Sequence, residues 1–133
     1  MMKQITRINH FGLRVRDLDI SREFYGKLGF KFIIGPVGPE PVAILEHPSG
    51  VNINLILNGS KDAPETNILM EGGNKYPGYT HVALEISSYS SAKKEVEELG
   101  ISITEEVEFK GTKFFFIRDP DSNIIEFHKP ASS

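Results

Sequence analysis

Apolar and polar residues alternate over residues 5–15, with Phe11, Leu13 and Val15 on one side and His10, Gly12, Arg14 and Arg16 on the other. That two-residue period predicts a strand with one buried face. A four-residue recurrence follows. Ile20, Phe24 and Leu28 predict a helix, capped by Asp19 or Ser21 and stopped by Gly29. Residues 30–37 read as a strand leading into a turn rich in Gly and Pro, and residues 42–46 and 51–57 read as a hairpin joined through Pro48, Ser49 and Gly50. After a polar stretch at 58–77 the order recurs. A strand at 79–86 precedes a helix that starts at Ser90 or Ser91 and turns Ala92, Val96 and Leu99 inward. Strands at 101–107, 112–118 and 123–128 complete the chain, the last two joined by Asp119, Pro120, Asp121 and Ser122.

The second half therefore restates the first. His10, Phe11, Gly12, Leu13, Arg14 and Val15 open a segment that ends in Leu28, Gly29 and Phe30. In the second half, 71 positions on, His81, Val82, Ala83, Leu84, Glu85 and Ile86 open one that ends in Leu99, Gly100 and Ile101. Near the ends of the copies, Asn54 lies 72 positions before Glu126. The pattern predicts an α+β fold of two tandem βαβββ modules, residues 4–57 and 78–129, joined by a linker at 58–77. Their curved sheets are expected to form one open, mixed-sheet cleft within a single domain, 1–133, because the chain is long enough for one ordinary domain but not two.

Duplication turns scattered polar residues into one candidate site. His10 and His81 share strand parity with Arg14 and Glu85 rather than with the core positions, and Glu126 lies among apolar neighbours in the last strand. Two imidazoles and a carboxylate suit a divalent ion of the Zn, Ni, Mn, Co or Fe type. The expectation is a metal held by His10, His81 and Glu126. Two cleft-edge histidines and a lysine-paired glutamate are the plainer alternative. Asn54, an uncharged donor in the fourth position, fits substrate contact better than coordination. Arg14, Phe114 and Phe116 complete the expected substrate-binding set.

Composition narrows the setting. Hydrophobic residues make up 39% and charged residues 25%, a globular rather than a disordered balance. With a net charge of -3 and dispersed Lys and Arg, there is no footprint for nucleic acid or an anionic membrane. Cysteine is absent, which removes disulfides and thiol nucleophiles. A cytoplasmic protein with a small-molecule substrate is expected.

Residues 10–30, 81–85 and 118–127 resemble the vicinal oxygen chelate superfamily, which includes glyoxalase I, extradiol dioxygenases, methylmalonyl-CoA epimerase and the fosfomycin and bleomycin resistance proteins. The resemblance implies a homodimer and a metal in the positions of His10, His81 and Glu126. Departures from its subfamilies are informative. Asn54 stands where glyoxalase I carries a glutamate. Phe116 stands where the extradiol enzymes carry a tyrosine, and residues 107–112 hold no histidine. The resemblance implies first a metal-dependent, glyoxalase I-like lyase or isomerase that stabilises an enediolate, with Glu126 or a metal-bound water moving the proton. The alternatives are a non-catalytic small-molecule-binding or resistance protein and an Fe(II) extradiol-type dioxygenase.

Overall fold

The computed structural model describes residues 1–132. The first copy forms β1 (Phe11–Arg14), α1 (Leu18–Lys27), β2 (Lys31–Val37), β3 (Val42–Glu46) and β4 (Asn52–Ile56). The second forms β5 (His81–Glu85), α2 (Tyr89–Glu98), β6 (Glu105–Phe109), β7 (Thr112–Arg118) and β8 (Ile124–Lys129). The α+β class with two tandem βαβββ modules is thus what the structure shows. The chain divides into two compact units, one spanning Met1–Ala63 and one beginning at Pro64.

Each unit holds a mixed sheet of the same topology, β1-β4-β3-β2 in the first and β5-β8-β7-β6 in the second. The first strand runs parallel to the last, and the remaining pairs are antiparallel. The repeat extends to single residues. Gly12 pairs with Asn54 in one sheet as Ala83 pairs with Glu126 in the other.

The helix caps lie earlier than the expected Asp19 or Ser21 and Ser90 or Ser91. Asp17 accepts a hydrogen bond from the Ile20 amide at 3.0 Å, and Ser88 accepts one from the Ser91 amide at 3.3 Å. A cap stands outside the first turn and reaches forward to the amide three residues on, which places it before the apolar recurrence begins. The inner face of α1 also differs from the expected one. Ser21 and Tyr25 are its buried residues, whereas Ile20 is 55% exposed. Tyr25 sits edge-on to Phe24 and Phe30, with centroids 5.1 and 5.9 Å away, so an aromatic cluster sets how the helix rolls onto its sheet.

Burial alternates along β3, β4 and β7 as a half-buried sheet requires, whereas β8, flanked on both sides, buries Ile124 to Phe127 consecutively. Val15, Ala43, Leu45, Ile53 and Leu55 fill the first unit, and Val96, Phe115, Ile117, Ile125 and Phe127 fill the second. One close approach demands glycine. A Cβ on Gly35, whose φ is +149°, would lie 2.5 Å from the Ala43 Cα where the β2–β3 register shifts. No helix among the described residues is long and apolar enough to cross a membrane.

Candidate functional site on the second sheet

Strand β8 lies between β5 and β7, so its side chains have neighbours on both sides. Ile125 and Phe127 point to the core with Phe115, while Glu126 falls on the other face, opposite Ala83 on β5 and Phe116 on β7. His128 shares that face because it is two residues further along the strand. It lies opposite Glu85 and Phe114. His81, at the start of β5, lies opposite Ile124.

This placement produces a hydrogen-bonded chain centred on a buried carboxylate. The Glu126 side chain is only 9% exposed, and it lies between two more open imidazoles. Its Oε1 is 3.0 Å from His81 Nε2, and its Oε2 is 2.6 Å from His128 Nδ1. The other His81 nitrogen, Nδ1, is 2.8 Å from Thr80 Oγ1. A buried carboxylate without such partners would be costly, and the two rings remove that cost. Both rings also carry aromatic neighbours. His128 stacks on Phe114 at 5.5 Å and 14°, Phe114 meets Phe116 edge-on at 5.8 Å, and Phe116 meets His81 edge-on at 5.5 Å. Four rings thus run unbroken along one sheet face with the carboxylate beside them.

The expected metal centre is overturned. Among the described residues no group of three or more His, Cys, Asp or Glu side chains is arranged to hold a metal ion. His81 and Glu126 do meet, but the nitrogen and oxygen that would serve a metal face one another in a hydrogen bond. His10, the third expected ligand, precedes β1 in the first unit, is exposed, and donates from Nδ1 to Asn9 Oδ1 at 2.8 Å. The divalent Zn, Ni, Mn, Co or Fe cofactor falls with that ligand set. So do the metal-dependent lyase or isomerase reading, its enediolate step through Glu126, and the Fe(II) dioxygenase alternative.

The expected substrate-binding residues occupy different settings. Phe114 and Phe116 lie on the ring-lined face, both partly exposed. Arg14 is engaged with its own unit. Its Nε–H donates to Asn58 Oδ1 at 2.9 Å, and its guanidinium lies 3.5 Å from Glu40. Asn54 is half-buried on β4 between Gly12 and Ile44. His128 is the residue that the sequence reading passed over. Its signal was the two-residue spacing from Glu126 within a strand.

Arg118, at the end of β7, is held by acidic neighbours. It donates to Glu105 and Glu71, each at 2.9 Å. The Arg118 hydrogen bond holds the Glu105 carboxyl below its ordinary range, with burial opposing. A carboxyl depressed in the folded state stabilises the fold above its unfolded value, and that contribution disappears as pH falls through the folded one. Glu105→Gln is therefore expected to be less stable than the parent at about pH 7 and equal to it at about pH 2–3. Urea midpoints at the two pH values check this, and a constant difference would refute it. The effect should be small, because the Glu105 side chain is 47% exposed.

Residues 7–127 match the family model described as Glyoxalase/Bleomycin resistance protein/Dioxygenase superfamily. The chain is 31% identical over 129 residues to the uncharacterized protein YwbC of Bacillus subtilis (strain 168), covering 91% of this chain and 95% of that protein. It is likewise 31% identical over 129 residues to Glyoxylase I 4 of Arabidopsis thaliana, covering 92% of this chain and 70% of the relative. Among solved structures, that of SMU.1112c superposes with a TM-score of 0.76 at 27% identity, covering 94% of this chain and 99% of that one. The chain belongs to the glyoxalase/bleomycin resistance protein/dioxygenase superfamily.

Proposed function

We propose that this protein is a small-molecule-binding member of its superfamily, of the non-catalytic or resistance kind, and that it needs no metal ion to hold its ligand. The observation that carries this reading is the run of four rings, His128, Phe114, Phe116 and His81, beside a buried, fully partnered carboxylate. Partly exposed aromatic surface flanked by a few fixed polar atoms is the usual chemistry of small-molecule sites. The similarity to a protein named Glyoxylase I 4 supports an organic, oxygenated ligand. Phe114 and Phe116 are its proposed contacts. Asn54 in place of a carboxylate favours binding over proton transfer.

A screen of planar organic fragments by thermal shift in chelator-containing buffer tests the reading. Saturable binding is expected, weakened about five-fold in Phe116→Ala because an aromatic contact contributes roughly 1 kcal/mol. Ligands that bind only after a divalent ion is added, or that ignore both Phe114→Ala and Phe116→Ala, would refute it.

A homodimer belongs to the same proposal. Strand β2 is a sheet edge, and its Ile33 and Ile34 are about half exposed, which leaves apolar edge surface for a second copy to cover. Light scattering at micromolar concentration should give twice the monomer mass, and a monomer would contradict it.

A further inference from the structure

We infer that the ring-lined face continues onto the edge strand β6, where Val107 and Phe109 form an apolar subsite that ends at the Lys110 ammonium. The ligand of this face is then an elongated apolar molecule that carries an acid group at one end. This inference rests on the proposed binding function and adds the length and charge of the ligand to it.

Strand pairing puts β6 side chains on the face of Phe114 and Phe116. Partners across an antiparallel ladder point to the same side of the sheet. Val107 lies opposite Phe114, and Phe109 lies opposite Thr112. The intervening Glu106 and Glu108 lie opposite Phe115 and Lys113, on the side that carries α2. Glu106 is held there by the helix, since its Oε1 is 2.9 Å from Lys93 Nζ and accepts from the Tyr89 hydroxyl at 2.8 Å. A one-residue slip would turn both apolar side chains to the helix side, and the two contacts to Glu106 oppose it. The outcome reverses the usual half-buried strand. Glutamates face the helix side, while Val107 and Phe109 are 40% and 63% exposed on the open one.

Length and charge identify the occupant. From Phe116 to Thr112 the strand advances about 13 Å, and the step across to β6 adds about 5 Å. The apolar strip therefore runs obliquely from Phe116 through Phe114 and Val107 to Phe109. A single ring on Phe114 and Phe116 leaves the outer half of the strip bare, whereas a body of about two linked rings covers it. The charges at the two ends differ. Arg118, at the Phe116 end, is paired with Glu71 and Glu105. At the other end Lys110 and Gly111 form a two-residue turn with φ of +51° and +84°, the left-handed pair of a tight hairpin. The turn brings the Lys110 ammonium over the Phe109 ring, 5.4 Å from its centroid. Among the described residues no carboxylate pairs with it. An acid group placed there meets a positive charge at the margin of the apolar strip.

Matched probes test this on the intact protein in chelator-containing buffer. Biphenyl-4-carboxylate spans the strip, biphenyl-4-carboxamide keeps the body without the charge, and benzamide offers one ring. The biphenyl acid should shift the NMR signals of Val107 and Phe109 together with those of Phe114 and Phe116. Phe109→Ala should weaken it about five-fold, and the fold should survive because that side chain is exposed. Benzamide, seated on Phe114 and Phe116, should be indifferent to Phe109→Ala. The acid should bind about three-fold more tightly than the amide in the parent, and equally in Lys110→Asn, a residue that tolerates left-handed backbone. A biphenyl acid weakened by Phe116→Ala but not by Phe109→Ala would overturn the subsite and leave the binding proposal standing. Equal affinity of acid and amide in the parent would overturn the role of Lys110 and the acid group with it. Shifts at Val107 and Phe109 that grow with protein concentration alone would give the strip to a second copy and overturn the inference. Binding of no probe, with no response at Phe114 or Phe116, would remove the binding proposal as well.

Discussion

Phe115→Ala is expected to destabilise the protein by about 3–5 kcal/mol, the range for deleting a large ring from a packed core. Phe115 has no exposed surface. Its ring lies 5.1 Å from Phe127 on the neighbouring strand and meets Tyr89 of α2 edge-on at 5.6 Å. It therefore joins β7, β8 and the helix at one point. Strands in contact with the helix on one face and exposing rings on the other depend on that joint for their spacing. The loss should appear in urea unfolding as a lower midpoint with little change in slope, because the surface exposed on unfolding is nearly unchanged. A loss below about 1 kcal/mol would mean that the interior collapses to fill the space and that Phe115 does not organise the unit.

The second large effect concerns the β7–β8 turn. Asp119 is a buried carboxylate at 5% exposure. Its Oδ1 accepts from the Asp121 and Asn123 amides at 2.9 and 2.8 Å, and its Oδ2 accepts from the Asn123 side-chain amide at 2.9 Å. Ser122 sits at a φ of +66°, a conformation a serine does not favour unaided. The carboxylate offsets that strain by supplying acceptors to amides that would otherwise point into the turn unpaired. Asp119→Ala is expected to cost about 2–4 kcal/mol, since hydrogen bonds to a charged acceptor count for more than neutral ones and their donors would be stranded. Asp119→Asn keeps an acceptor oxygen and should fall between the two. The turn also sets the register that places Phe116 beside Glu126. Aromatic and histidine resonances should therefore move in Asp119→Ala even in the folded fraction. An alanine variant as stable as the parent would show that the turn holds itself without the side chain.

Repetition made the architecture legible from sequence. The displacement of 71 residues from His10 to His81 also carries Asp17 onto Ser88 and Leu28 onto Leu99, the observed N-caps and C-caps. That displacement relates the polar residues before the two helices, whereas the apolar recurrence points to cap positions inside them. The inner face of α1 departs from the apolar recurrence for a related reason. Ile20, Phe24 and Leu28 recur every four residues, but burial went to Ser21 and Tyr25, because the aromatic cluster around Tyr25 outweighs the pull of one aliphatic side chain.

The candidate site was legible in part. Strand parity put His81 and Glu126 on one face, and they do meet there. Equivalence between copies fixes the strand and the face, but it does not fix the partner of each polar atom. His81 and Glu126 satisfy one another, and His128 takes the second carboxylate oxygen. The sequence could not weigh that third contact, because a histidine two residues from a glutamate is unremarkable until neighbouring rings hold it in place. Arg14 teaches the same lesson. Its guanidinium, expected at the substrate, is engaged locally by Glu40 and Asn58.

The central claim is that the ring-lined face of the second sheet binds a small organic molecule without a metal ion. The most direct test is NMR of protein labelled in its Phe and His side chains, titrated with a planar fragment hit in the presence of a chelator. Saturable shifts at Phe114, Phe116, His81 and His128, unchanged when zinc or manganese replaces the chelator, are the predicted result. Shifts confined to other residues, or shifts that appear only once a divalent ion is added, would contradict it.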